Sequence, residues 1–346
     1  YAGTTYAVTV YAGNQGTVGA ADRHVIEGVP FGGSVSFDGL AVAVPDDGRY
    51  YAKGLRLAGL DNVAASADAA PTFYYANADA SGVLRGIVGR KPIHLIEPDE
   101  RKTVTPLSSL VIDLGMKPKR VKKLVRVGDP ITFGVGFERF GDGMAVSKCF
   151  DDKCGVWVAC RVMEELAAAG RAPGAFVAAA TVQEEIGTRG AMTSAHAVRP
   201  DVAVAFDVTH ATDYPGIDKA KYGKITCGEG PVIARGPNIN PVVFERLVAA
   251  AEAEGIPYQL EAEPSVTGTD ARAIQVARGG IPTGLVSVPL RYMHTPTEVV
   301  ALADLEATVR LLTRFALDLD ADACFVPGLA DPVRPGIPAT LADVEE

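Results

Sequence analysis

The sequence predicts an α/β fold: a parallel sheet wrapped by helices, with a smaller β-rich domain in the first part of the chain. Three observations carry this prediction. From about Met144 onward, short apolar runs alternate with helical patterns, the signature of strands joined by crossover helices. Upstream, residues 42–134 are rich in Gly, Val, Thr and Tyr, with turn dipeptides such as Asp47-Gly48, which suits short antiparallel strands instead. The chain has 346 residues, more than the roughly 250–300 at which a single core stops growing. Residues 42–134 are therefore read as a small β-rich domain and the chain as two domains.

Each element of the larger domain has its own signal. Met144 to Val146, Ala175 to Val182, Val202 to Phe206 and Thr283 to Val288 read as buried strands. Val158, Val162 and Leu166 recur four apart, as do Leu305 and Val309 with Leu312 following, so each set marks the buried stripe of a helix. Asn240-Pro241 is a cap followed by a first-turn proline, and Gly255 ends that helix. Residues 61–82 shift toward Ala, Asp and Ser and are expected to form a loop. The tail after Asp318 has four prolines and no amphipathic period, so it either drapes over the surface or frays.

The formal net charge of −9 argues against nucleic acid or an anionic membrane as partner. The basic stretch Lys117 to Arg126 (KPKRVKKLVR) reads as a solvated helix face, as charge runs usually are. Five cysteines without framework spacing do not suit a disulfide-built secreted fold. No apolar run approaches membrane-spanning length, and no basic segment followed by an apolar core opens the chain. The expected compartment is the cytoplasm.

In open α/β sheets ligands bind where strands end at their carboxyl edge. Four predicted strands end in polar chemistry. The first runs into Cys149-Phe150-Asp151-Asp152-Lys153, where an acid either binds something or caps the following helix. The second ends in Gln183-Glu184-Glu185-Ile186-Gly187. Neighbouring strand residues point to opposite faces, so both glutamates reach one site only if the chain turns, which Gly187 and Gly190 permit. The third ends in Asp207, and the fourth leads into a loop bearing His294. Each has an ordinary alternative: a cap, a solvated turn, a lone strand-end acid, a hydrogen-bonded histidine.

The combination alters the balance. Acids and one histidine converging on one edge form a donor set for Zn²⁺, Mn²⁺ or Co²⁺, whereas a structural zinc favours thiolates. Hydrolysis at such a centre needs a base beside a ligand, and adjacent Glu184 and Glu185 can supply one residue for each role.

At these residues the chain resembles the tetrahedral, or deblocking, metalloaminopeptidase family, co-catalytic enzymes that include glutamyl aminopeptidases. The resemblance runs without a gap from residue 83 to about 317. It rests on GIVGRKPIH, LVIDLG, VRVGDPITF, FDDKCG, TVQEEIGTRGA, FDVTHATDYPGIDKAKYG, GPVIARGPNINP, GTDARAIQ and LVSVPLRYMHTPTEVV. It implies that Asp151 bridges two divalent ions (Zn, Co or Mn), that Glu185 and His294 complete one site, and that Asp207 belongs to the other. Glu184 takes the general base's place, and Asp270 and Arg291 line or support the site. It further implies a mixed sheet flanked by helices in a catalytic domain of residues 1–41 and 135–346, with 42–134 as an inserted barrel or PDZ-like domain, short peptides as substrates, and self-association into tetrahedral dodecamers.

One departure stands out. The family's second site also uses a histidine from an earlier His-x-Asp motif. The best register puts Ser36-Phe37-Asp38 there, with serine in place of imidazole and Asp38 in the place of the motif's catalytic acid. Serine is a poor substitute for imidazole, so that site is expected to lose affinity or take water. His210 is a weak candidate to replace it, and Cys149 and Cys154 read as packing thiols. The alternative to an active aminopeptidase is therefore a weakened or inactive one-metal homologue that acts in assembly or binding. A glycosidase is disfavoured, since its two carboxyl groups must stand roughly 5–9.5 Å apart across a sugar.

Overall fold

The computed structural model describes residues 5–11, 37–38, 41–42, 72–76, 83–89, 93–95, 108, 110–129, 131–170, 174–320 and 322–328. Apolar β-branched runs produce most of the strands. In chain order these begin with β1 (Thr5–Tyr11), β2 (Phe37–Asp38), β3 (Ala41–Val42), β4 (Thr72–Ala76), β5 (Val83–Gly89) and β6 (Val111–Asp113). Helix α1 (Pro118–Leu124) follows, then β7 (Ile131–Phe133), β8 (Glu138–Phe140) and β9 (Met144–Ser147). The basic α1 has no buried residue, so it is the solvated face its charge pattern predicts.

The remaining elements alternate: α2 (Phe150–Ala169), β10 (Ala175–Thr181), α3 (Arg189–Val198), β11 (Val202–His210), α4 (Lys219–Tyr222), β12 (Val232–Arg235) and α5 (Pro241–Ala253). After these come β13 (Gln259–Ala262), α6 (Ala271–Gln275), β14 (Thr283–Arg291), β15 (Glu298–Ala301) and α7 (Leu302–Leu317). The Asn240 side chain accepts from the amides of Val242 and Val243, so α5 starts where the cap and proline place it.

The main sheet runs β10-β1-β11-β14-β15-β9-β8, with β12 pairing to β14 and β13 to β12. Strands β10, β1, β11 and β14 are mutually parallel. Strand β15 is antiparallel to both β14 and β9, so β9 points the same way as β14 and the sheet is mixed. The four strands that carry or lead into the candidate acids and histidine, β9, β10, β11 and β14, thus all direct their carboxyl ends to one edge; Asp207 itself lies within β11, which runs on to His210.

Residues 202–209 of β11 and 283–290 of β14 are buried throughout, as expected for strands covered on both faces. Phe206, Val286, Leu247, Leu311 and Leu312 sit at 0% exposure in the core they share with α2, α5 and α7. The described part of the tail drapes: Phe325 is buried, and its carbonyl accepts from Asn240 Nδ2.

Strands β4 to β7 form a separate antiparallel sheet ordered β6-β5-β4-β7. Among the described residues, strand β2 pairs with β3 in a two-stranded ribbon. No helix among the described residues is long and apolar enough to cross a membrane.

Candidate metal centre

The loop after β9 brings Asp151 and Asp152 into the edge ahead of the regular part of α2, since both have non-helical backbone angles. Here the two readings of the acids separate by residue. Asp152 Oδ1 accepts the Gly155 amide at 2.7 Å and serves as the helix cap. Asp151 does not cap. Its Oδ2 lies 3.0 Å from His294 Nε2.

After β10 the chain turns as the glutamate pair requires. Gly187 has φ +117°, and its amide and that of Thr188 both donate to the Glu184 carbonyl at 2.8 and 2.9 Å. Gly190 packs so closely that a Cβ there would lie 2.3 Å from the Val182 amide nitrogen. This turn puts Glu185 Oε2 at 3.5 Å from His294 Nε2. Donor atoms of Asp151, Glu185 and His294 all lie within 4.8 Å of one another.

The described non-glycine residues with positive φ are Cys149, Gln183, Thr188, Arg199, Arg278, Tyr292 and His294. Five of these, all but Arg199 and Arg278, are within four residues of Asp151, Glu185 or His294. Such backbone is unfavourable for ordinary side chains and collects where function requires a particular aim.

Asp207 ends up buried on the neighbouring strand β11, outside that triad, with Oδ1 accepting the Val208 amide at 2.8 Å. Burial pushes its carboxyl well above the usual range, and the Asp151 charge adds to this. Burial likewise raises Asp152, helped by Asp207. Asp151 is pushed to about 7 by burial and then by Glu185 and Glu298. Glu184 is pushed to about 7 by burial and then by Glu185. Several carboxyls disfavour ionisation together because each loses water and meets like charge.

The supporting residues also have definite places. Asp270, fully buried, accepts from Thr181 Oγ1 at 2.9 Å, and burial lifts it to about 8. Arg291 donates through Nε to Asp213 Oδ1 at 2.8 Å and through its terminal nitrogen to Oδ2 at 2.5 Å. His210 is exposed at the end of β11 and stands outside the triad. Cys154 is buried in the core and Cys149 half-buried, and all five cysteines are free.

The strand lying between β10 and β11 is β1, with Tyr11 in register with Thr181 and Val10 with Phe206. Phe37 and Asp38 lie instead in the β2-β3 ribbon. Ser36 and the Asp38 side chain fall outside the described residues.

Sequence reasoning did not single out Glu298, which is 2% exposed. Its Oε2 accepts the Asp151 amide at 3.1 Å and its Oε1 the His294 amide at 3.0 Å. A signal was present in the HTPTE stretch that ends at Glu298, an acid spaced four residues from the histidine.

The residues present fit a divalent cation. Two carboxylates and one imidazole offer oxygen and nitrogen donors within a few ångströms, and Glu185 Oε1 is buried without a hydrogen-bond partner. A positive charge there would also relieve the repulsion that holds the acids up.

A mixed sheet with this cluster on its carboxyl edge defines an α/β protein with a candidate divalent-cation site. The family follows from the sequence: the model of the M42 glutamyl aminopeptidases matches residues 76–311, and the chain belongs to that family. It is similar to the lysyl aminopeptidase of Pyrococcus furiosus, with 34% identity over 231 residues, 65% of this chain and 64% of that protein. The match therefore spans less than two thirds of that relative's length.

Among solved structures, it resembles a TET aminopeptidase from a marine-sediment Thaumarchaeota archaeon. The TM-score is 0.67 at 32% identity, covering 72% of this chain and 71% of the other. The TET1 peptidase of Pyrococcus horikoshii, which can assemble into a tetrahedron or a large octahedral shell, gives 0.62 at 29% identity over 72% of each chain.

Proposed function

We propose that the chain is a metal-dependent aminopeptidase that releases N-terminal residues from short peptides. The observation carrying this reading is the Asp151, Glu185 and His294 cluster with Glu184 beside it. These three residues would hold one divalent ion, with Asp151 shared with a second ion on Asp207. Such ions would polarise the scissile carbonyl and acidify the attacking water.

The protein's own groups do the rest. Glu184 takes the proton from the attacking water and returns it to the leaving amine. Its carboxylate adjoins Glu185 in the chain, so a base stands directly beside a ligand, where such a proton exchange can be made. Asp38 holds the supporting acid's place at the second site on the resemblance alone, since its backbone lies in the β2-β3 ribbon and not in the main sheet. The Arg291–Asp213 pair anchors the loop that carries His294.

Residues 42–134 are read as a barrel or PDZ-like insert in a catalytic domain of 1–41 and 135–346. The separate β4–β7 sheet supports this. Self-association into a tetrahedral dodecamer is proposed from the relative that assembles into a tetrahedron and from the similar PhTET1-12s, solved as a dodecamer. A net charge of −9 supports peptides rather than nucleic acid or a membrane as partners. Five free cysteines suit a reducing cytoplasm.

A second reading, a one-metal assembly protein, draws on the fact that only one triad forms among the described residues and leaves Asp207 out. A peptide assay separates the two. With Co²⁺, Mn²⁺ or Zn²⁺ supplied, the protein is expected to free N-terminal residues, and Glu184→Gln should lower kcat about 10²- to 10⁴-fold while cation binding persists. No release with any of the three ions would sink the aminopeptidase reading.

A further inference from the structure

We propose that Glu298 is a positioning residue that clamps the two loops bearing Asp151 and His294 into ligating register; this rests on the cation-site reading above. Glu298 opens β15 opposite Ser147, the last residue of β9. From there its carboxylate reaches the chain just beyond each of two strands. One oxygen takes the Asp151 amide after β9 and the other takes the His294 amide after β14. These loops are 143 residues apart in sequence (294 − 151) and are joined at the edge by this one side chain.

The bonds go to backbone amides rather than to the Asp151 and His294 side chains. Those side chains are left free to converge, with Nε2 and Oδ2 3.0 Å apart. His294 itself has φ +61°, a conformation that neighbouring structure must enforce, and its amide is the group Glu298 holds.

Packing alone does not account for an acid here. Glu298 is nearly fully buried beside Asp151, where another carboxylate adds repulsion that an amide side chain would avoid. A carboxylate does offer two acceptor oxygens at once, and a bound cation compensates its charge. Partners that orient ligands from behind typically govern metal affinity about 10- to 100-fold.

The test uses the whole chain and Co²⁺ as the probe. Affinity is measured by competition with a chromophoric chelator, and ligand geometry by the visible Co²⁺ spectrum. Glu298→Ala should weaken Co²⁺ binding about 10- to 100-fold and broaden or shift the spectrum. Glu298→Gln keeps one acceptor oxygen and the side-chain volume, and should fall between Ala and wild type. It also serves if the Ala variant does not fold. Wild-type affinity and spectrum in the folded Gln variant, and in the Ala variant where it folds, would overturn the proposal.

A wild-type protein that bound no Co²⁺ would count against the cation-site reading, not against the clamp. Amide hydrogen exchange in the metal-free protein decides the clamp separately. Residues 148–152 and 292–296 should exchange faster in the Gln variant than in wild type, and equal rates would contradict it.

Discussion

The middle of the main sheet and its carboxyl edge are built from the same strands and obey opposite rules. In the middle, β11 and β14 are apolar and fully buried, with Phe206 and Val286 at 0% exposure. One residue beyond Phe206 comes Asp207, also buried and with its carboxyl pushed well above the usual range. The middle is stabilised by removing apolar surface from water. The edge gathers buried acids and positive-φ residues that lower stability unless something compensates them.

This contrast predicts a middle indifferent to cations and an edge that responds to them. The largest expected effect is in the middle. Phe206→Ala should cost about 3–5 kcal/mol by loss of burial and creation of a cavity. Denaturant titration measures it, and the loss should be the same with and without divalent ions. A loss that shrinks when ions are added would show that the two regions are energetically joined.

The same contrast explains what the sequence made legible. The buried strands and the helices of the larger domain follow from apolar periodicity and from caps such as Asn240, all of them local signals. Asp151, Glu184, Glu185, Asp207 and His294 stood out because each follows an apolar run, and the topology then carries those runs to one edge. What sequence missed was relational. Which of two adjacent acids would cap α2 depends on backbone angles at Asp151 and Asp152 that no spacing encodes. Glu298 matters only because β15 lies between β14 and β9, a pairing set by tertiary structure. Likewise, Thr5–Tyr11 takes the place beside β11 through long-range strand pairing, not through any motif of its own.

A smaller effect lies just behind the edge, at Asp213. Burial raises this carboxyl, but the Arg291 hydrogen bond and the Cys227 amide outweigh it, and the net shift is downward. An acid with a depressed folded pKa contributes stability above its unfolded pKa, near 4, and that contribution is lost as pH falls through the folded value. Asp213→Asn should therefore lower Tm at neutral pH and flatten the decline of Tm below about pH 4. An acid limb of unchanged steepness in the variant would show that this pair is not what acid breaks.

The central claim is that the Asp151, Glu185 and His294 cluster is a cation site whose occupancy offsets the strain of the edge. Thermal unfolding of metal-free protein, repeated over a Co²⁺ titration, tests it most directly. Wild type should gain stability with the ion, by about 2.7 kcal/mol at a hundredfold excess over Kd, and His294→Ala should lose most of that gain. An unmoved wild-type Tm, or an equal gain in His294→Ala, would contradict it.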